Sequence, residues 1–370
     1  MDDPVPVEAH YLYSDEPLEF PLAAISLPER PQPSNIWWVI LSCVAYLVLT
    51  QGLAFLVLYL IYAPQSGDYL MQNRDMMKTP EFAGAVGPAI LLAQIIGVVG
   101  SWIALRAVAG RDWARKVALR LPSWQHVVLV LLGLPGMYLL AAGVDMVAKE
   151  IFETLFGKDS IFFLEDMVRI FGSWPLSFAL LAIAVGPGFA EELFCRAFLG
   201  RGLVGNYGIV SGVIITSLFF GILHLDPRQV AYASLIGLLL HSAYILTRSL
   251  WIPILLHVVS NGLSMIALHL PSEFQELGET PQKIPVYIFA AAGILVLTVG
   301  WALYESRARL LSTNADAPAW QPDYPGVEYP LPDSGTIVIR PRPTMLHWAV
   351  ALTGVLIFLG AVALAGATAQ

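Results

Sequence analysis

The sequence predicts an all-α protein, a polytopic transmembrane helical bundle of about eight core helices plus one extra C-terminal span. Three observations carry this expectation. Hydrophobic residues make up 57% of the 370-residue chain and charged residues only 13%, against about 25% charged in an ordinary soluble domain. Apolar runs of the length that crosses hydrocarbon, about 20 residues, recur along the chain. Several of these runs are joined by connections so short that the helices must be antiparallel neighbours. The same composition argues against nucleic-acid binding, since no basic stripe or zinc-finger spacing is present. The two cysteines, Cys43 and Cys195, both fall within apolar runs and form neither a disulfide framework nor a CxxC metal pair.

The chain begins with an acidic, proline-containing segment, residues 1–35, that has no basic n-region. It is expected to be a cytosolic tail rather than a cleaved signal peptide. Spans are expected at 36–62, 84–108, 125–147, 174–200, 206–225, 229–247, 250–270, 286–304 and 345–366. Trp37, Trp38, Trp174 and Trp251 stand at span ends, where an aromatic belt belongs. With the N-terminus inside, thirteen of the 20 Lys and Arg residues fall on the inner side, led by the loop "RAVAGRDWARKVALR". The outer side then holds seven, Arg228 among them, so the positive-inside rule favours N-inside and C-outside. Residues 305–344 are rich in proline and polar side chains and read as an irregular loop, with room for a small hairpin around "GTIVIR". No internal repeat is apparent, which counts against an inverted-repeat transporter.

Charges inside these runs are the unusual feature. "GFAEELFCRAF", residues 188–198, places Glu191, Glu192 and Arg196 on an apolar span, where each charge costs about 2.5–3.5 kcal/mol on insertion scales. Glu192 and Arg196 are spaced i, i+4 and stack on one helical face, so an ion pair neutralises both. Glu191, about 100° further round, faces elsewhere and is free to serve a site. The bland alternative puts all three at a cytosolic helix end. The next span ends in "FGILHLDP", with Phe220 one turn before His224; the seventh contains "HVVSN", which sets His257 and Asn261 at i, i+4. A carboxylate, two imidazoles and an amide on neighbouring helices make a hydrolytic set of base, oxyanion donors or metal ligands. His241 and Cys195 read as packing residues. Helical bookkeeping sets Glu191, Glu192 and His224 at one depth but leaves His257 about 9 Å shallower. Tilt, or a fifth helix that ends inside the protein, would close that gap.

Taken in order, "EELFCR", "FGILH" and "HVVSN" match EExxxR, FxxxH and HxxxN. Together they resemble the intramembrane metalloprotease family of CAAX proteases and bacteriocin-processing enzymes, also called the abortive-infection family, which includes the CAAX prenyl endopeptidases. The resemblance covers roughly 125–270, the expected catalytic core. Around it lie the tail (1–35), the first two spans with the basic loop (36–124), the eighth span (271–304), the polar loop (305–344) and the C-terminal span (345–370). It implies that Glu191 activates water, that His224 assists or holds a metal, and that His257 and Asn261 steady the oxyanion or complete a metal site. Either Zn2+ on Glu191, His224 and His257 or the glutamate alone would serve. The implied substrates are membrane-associated or lipid-anchored proteins, or peptide precursors, in the bilayer of a bacterial inner membrane. Two other classes stand beside this one: a non-catalytic scaffold, immunity or regulatory protein of the same family, and an ion or proton path through the same side chains.

Overall fold

The computed structural model describes residues 31–66, 79–157, 163–271, 284–312, 336–339 and 341–368. The expected tail up to residue 30 and the loop from 313 to 335 lie outside the described residues. Among the described residues, eight helices are long and apolar enough to cross a membrane. With one shorter helix they run in chain order as α1 (Ile36–Leu60), α2 (Pro80–Ala109), α3 (Trp124–Phe156), α4 (Leu176–Tyr207), α5 (Ile209–Ile222), α6 (Pro227–Thr247), α7 (Trp251–Leu268), α8 (Val286–Glu305) and α9 (Met345–Ala367). The chain is an all-α polytopic helical bundle, as its composition requires.

Local chemistry sets the helix starts. Asn35, Thr79 and Ser123 each accept a backbone N–H of the first turn, from Trp38, Phe82 and His126. Asp226 does the same for Arg228 and Gln229, with Pro227 at the first helical position. β1 (Arg309–Ser312) pairs antiparallel with β2 (Thr336–Ile339), so "GTIVIR" supplies one strand of a hairpin whose partner directly follows α8.

The fifth span differs from expectation. A span was expected over 206–225, but α5 has 14 residues, about 21 Å at 1.5 Å per residue, against about 30 Å of hydrocarbon. It stops because Asp226-Pro227 starts a new helix, and Leu225 takes a left-handed φ of 62° to make the corner. Arg228, counted on the outer side, stands in the first turn of α6. Its guanidinium is buried, donating to Asp145 of α3 through Nε at 3.1 Å and Nη2 at 2.8 Å. Desolvated charge demands such a partner.

The two ends of the bundle are tied by different contacts. At one end Leu250 N donates to Ala118 O, Tyr244 Oη to Val117 O, and Ala308 N to Leu246 O. The ends of α6 and α8 thus gather under the basic loop. Asn206 Nδ2 donates to Pro31 O at the same end, and Pro31 and Pro33 lie against Gly205 and Gly202. At the opposite end His269 Nε2 donates to Trp174 O. α9 packs on α8, with Gly354 against Thr298.

Small residues decide how closely helices approach α4. A Cβ on Gly188 would lie 2.5 Å from Val258 Cγ2, and one on Gly186 would lie 2.8 Å from Gln94 Cγ. Gly97 of α2 meets Ala190 at 3.0 Å in the same sense. Backbones this close are how membrane helices gain packing without a hydrophobic drive. Gly188→Val is therefore expected to cost about 1–3 kcal/mol of stability through overpacking, read from unfolding in mixed micelles. Gly293→Ala, where nothing stands within 4 Å, should leave stability unchanged or slightly raised.

Candidate functional site

The site is built on an interrupted helix. Within α4, a π-helical stretch at Leu180–Val185 precedes the α-helical turn Gly186–Glu192, and a second follows at Leu193–Gly200. Such widened turns recur at functional sites. Pro187 has no N–H to offer the carbonyl of Ile183, four residues before it. Asn261 Nδ2 donates to that carbonyl at 2.9 Å, stitching α7 to α4 where the backbone needs a donor.

Arg196 is completely buried and serves three neighbours. Nη1 donates to Glu192 Oε1 at 2.8 Å, Nη2 donates to the Gly237 carbonyl of α6 at 3.1 Å, and the guanidinium carbon lies 4.3 Å from the centre of the Phe220 ring of α5. The i, i+4 spacing thus gives the expected ion pair, but the bland placement at a cytosolic helix end is not what the structure shows. Both charges have side-chain exposure of 0%.

Glu192 does more than pair with Arg196. The same Oε1 lies 2.7 Å from His257 Nδ1. Because an ionised carboxylate only accepts, the proton of this bond sits on Nδ1, and the lone pair of a neutral His257 is on Nε2. That nitrogen lies 3.9 Å from Glu191 Oε2, and Glu191 keeps 20% side-chain exposure. Two adjacent glutamates therefore meet one imidazole from two sides. The buried one fixes its tautomer; the more open one faces its second nitrogen.

His224 is joined less directly. Its Nδ1 lies 2.9 Å from the Phe220 carbonyl, so Nδ1 carries the proton and the lone pair of a neutral ring is again on Nε2. Phe220 sets the two imidazoles at its edges, with ring centroids 5.2 Å from His224 and 5.9 Å from His257. The depth discrepancy disappears for a physical reason. The turn Arg248–Leu250 is buried under the basic loop, with Ser249 Oγ bonded to Arg120 O, whereas "GNYG" projects and leaves Tyr207 exposed. One turn is covered and the other more open, and His257 Nδ1 reaches Glu192 Oε1. His241 and Cys195 are both fully buried, as packing residues would be.

Among the described residues, no group of three or more His, Cys, Asp and Glu side chains is arranged to hold a metal ion. Glu191 and His257 approach one another, but Glu191, His224 and His257 do not converge as a three-ligand set. The sequence reading missed the second partner of Glu192, the structural bond of Asn261 and the pairing of Asp145 with Arg228. Pro187 was the legible signal for Asn261; no local signal marks the other two.

Because Glu192 and Arg196 share one fully buried site, removing either strands the other. Arg196→Ala is expected to cost about 3–5 kcal/mol of stability, while Glu191→Gln, on the more open carboxylate, should unfold at nearly the wild-type denaturant. Equal losses from both would remove the division of labour between the two glutamates.

Residues 173–263, which contain all six of these side chains, match the family model for type II CAAX prenyl endopeptidase Rce1-like proteins. Neither a curated protein nor a solved structure gives a significant match to the chain. Through that segment, about a quarter of the chain, the protein is similar to the type II CAAX prenyl endopeptidase Rce1-like family.

Proposed function

We propose that this integral, multi-pass membrane protein is an intramembrane endopeptidase. Its substrates are peptide bonds of membrane-associated or lipid-anchored proteins, or of peptide precursors, and its place is a bacterial inner membrane, in line with the family's abundance in bacteria. One observation carries the reading: Glu191 Oε2 faces the basic nitrogen of His257 at 3.9 Å, while the neighbouring charges are buried and neutralised.

In this reading Glu191 takes a proton from water as the water oxygen attacks the scissile carbonyl carbon. The proton then passes to the amide nitrogen, the C–N bond breaks, and a carboxylate and an amine leave. His257, in its protonated form, donates through Nε2 to the oxyanion, with its ring fixed by Glu192. Asn261, one turn along α7, commits one N–H to Ile183 and keeps a second for the same oxyanion. His224 presents Nε2 to the reacting groups and assists the proton transfers.

Zn2+ on Glu191, His224 and His257 would supply a Lewis acid, yet these side chains do not form a three-ligand set, so no step is drawn through it. Metal analysis and chelation separate the versions. The expected result is protein without stoichiometric zinc that cleaves at the wild-type rate after exhaustive chelation; loss of cleavage, restored by zinc, would establish the metal version.

General-base catalysis contributes about 10²–10⁴-fold. Glu191→Gln should therefore lower cleavage by at least about 100-fold, with folding intact. Membrane peptides from cells carrying wild-type or Glu191→Gln protein should differ, and the peptides that change identify the substrate. A cellular function rescued equally by both proteins would instead assign a scaffold or immunity role, and proton flux in liposomes a transport one.

A further inference from the structure

The turn that carries His224 has a backbone group with no partner in its own helix. Leu223 closes α5, and the residue four positions on is Pro227, which has no N–H to give. The Leu223 carbonyl belongs to the peptide that leads directly into His224, and Leu223 is buried. A buried carbonyl at a helix C-terminus inside a membrane protein needs a donor from elsewhere. Gln51 of α1 supplies it, with Nε2 donating to Leu223 O at 3.0 Å.

The placement of Gln51 is itself built. α1 is π-helical over Val48–Gly52, and within that stretch Thr50 Oγ1 returns a bond to Tyr46 O. Tyr46 stacks on Phe194 of α4, with centroids 4.1 Å apart and rings inclined by 17°. A Cβ at Gly97 would lie 3.0 Å from Tyr46 Oη and 3.0 Å from Ala190, so α1, α2 and α4 interlock beside Glu191. α1 lies wholly outside the matched segment 173–263.

We propose that Gln51 is a positioning residue of the catalytic site, holding the Leu223–His224 peptide and through it the His224 imidazole. The arrangement repeats that of Asn261 and Ile183: a carboxamide from another helix donates to a backbone carbonyl four residues before a proline. Here the carboxamide comes from a helix outside the family match, so the site depends on α1. This inference rests on the peptidase reading above.

The test uses the full-length protein in detergent or nanodiscs. Gln51→Met keeps the side chain's length without an N–H, and Gln51→Glu keeps its size and polarity without a donor when ionised. If the first fails to fold, the second carries the test. Both should lower kcat by about 10- to 100-fold, the scale of a 1 Å misplacement, with KM unchanged. In a His224→Ala background neither should lower it further. Ring-15N NMR should show the His224 signals moved and those of His257 in place. Losses that add to His224→Ala, a raised KM with unchanged kcat, or unmoved His224 signals would overturn the proposal. A wild-type protein that cleaves nothing would sink the peptidase reading instead, and the ring signals would still decide whether Gln51 sets His224.

Discussion

A guanidinium with no exposed surface, in a helix that crosses a membrane, is the constraint on which the rest of the site depends. Removed from water, the charge of Arg196 must be neutralised at once or the fold loses several kcal/mol. Glu192 supplies the negative charge, the Gly237 carbonyl a second acceptor and Phe220 a ring face. These come from α4, α6 and α5, so satisfying one cation draws three helices together. Gly237 can offer its carbonyl there because it carries no side chain. A Cβ at that position would already stand 3.1 Å from Phe220.

The chemistry follows from how that neutralisation is shared. Glu192 accepts from Arg196 and from His257 on the same oxygen. A residue needed to bury a charge thereby also chooses which nitrogen of His257 is basic. Phe220 links the remaining parts, with its face to the cation and its edges to two imidazoles. Electrostatic necessity and functional geometry are met by the same few atoms.

Much of this arrangement can be read from spacing alone. The i, i+4 relation of Glu192 and Arg196 predicts their pairing, and the angular offset of Glu191 predicts its separate face; both are local helical geometry. The pairing of Asp145 with Arg228 is not legible, because 83 residues separate them and both read as ordinary helix-end charges. The π stretches of α1 and α4 are equally silent, since no residue type demands an extra residue in a turn. Prolines are the partial exception. Pro187 and Pro227 each mark a place where a nearby carbonyl accepts from another helix, but the sequence does not say which helix brings the donor. The fifth span was misjudged because hydropathy continues through Leu225, whereas Asp226-Pro227 has already begun the next helix.

The length of α5 has a consequence for the surrounding lipid. Val210, Ile214, Leu218 and Ile222 form an exposed apolar stripe along it, which ends at the polar turn holding His224. Acyl chains beside this stripe meet an oily wall about 21 Å tall where an ordinary span would offer about 30 Å. A bilayer accommodates such a step by thinning, at fractions of a kcal/mol per Å. Thinning at such a notch would bring the water boundary down toward the turn that holds His224.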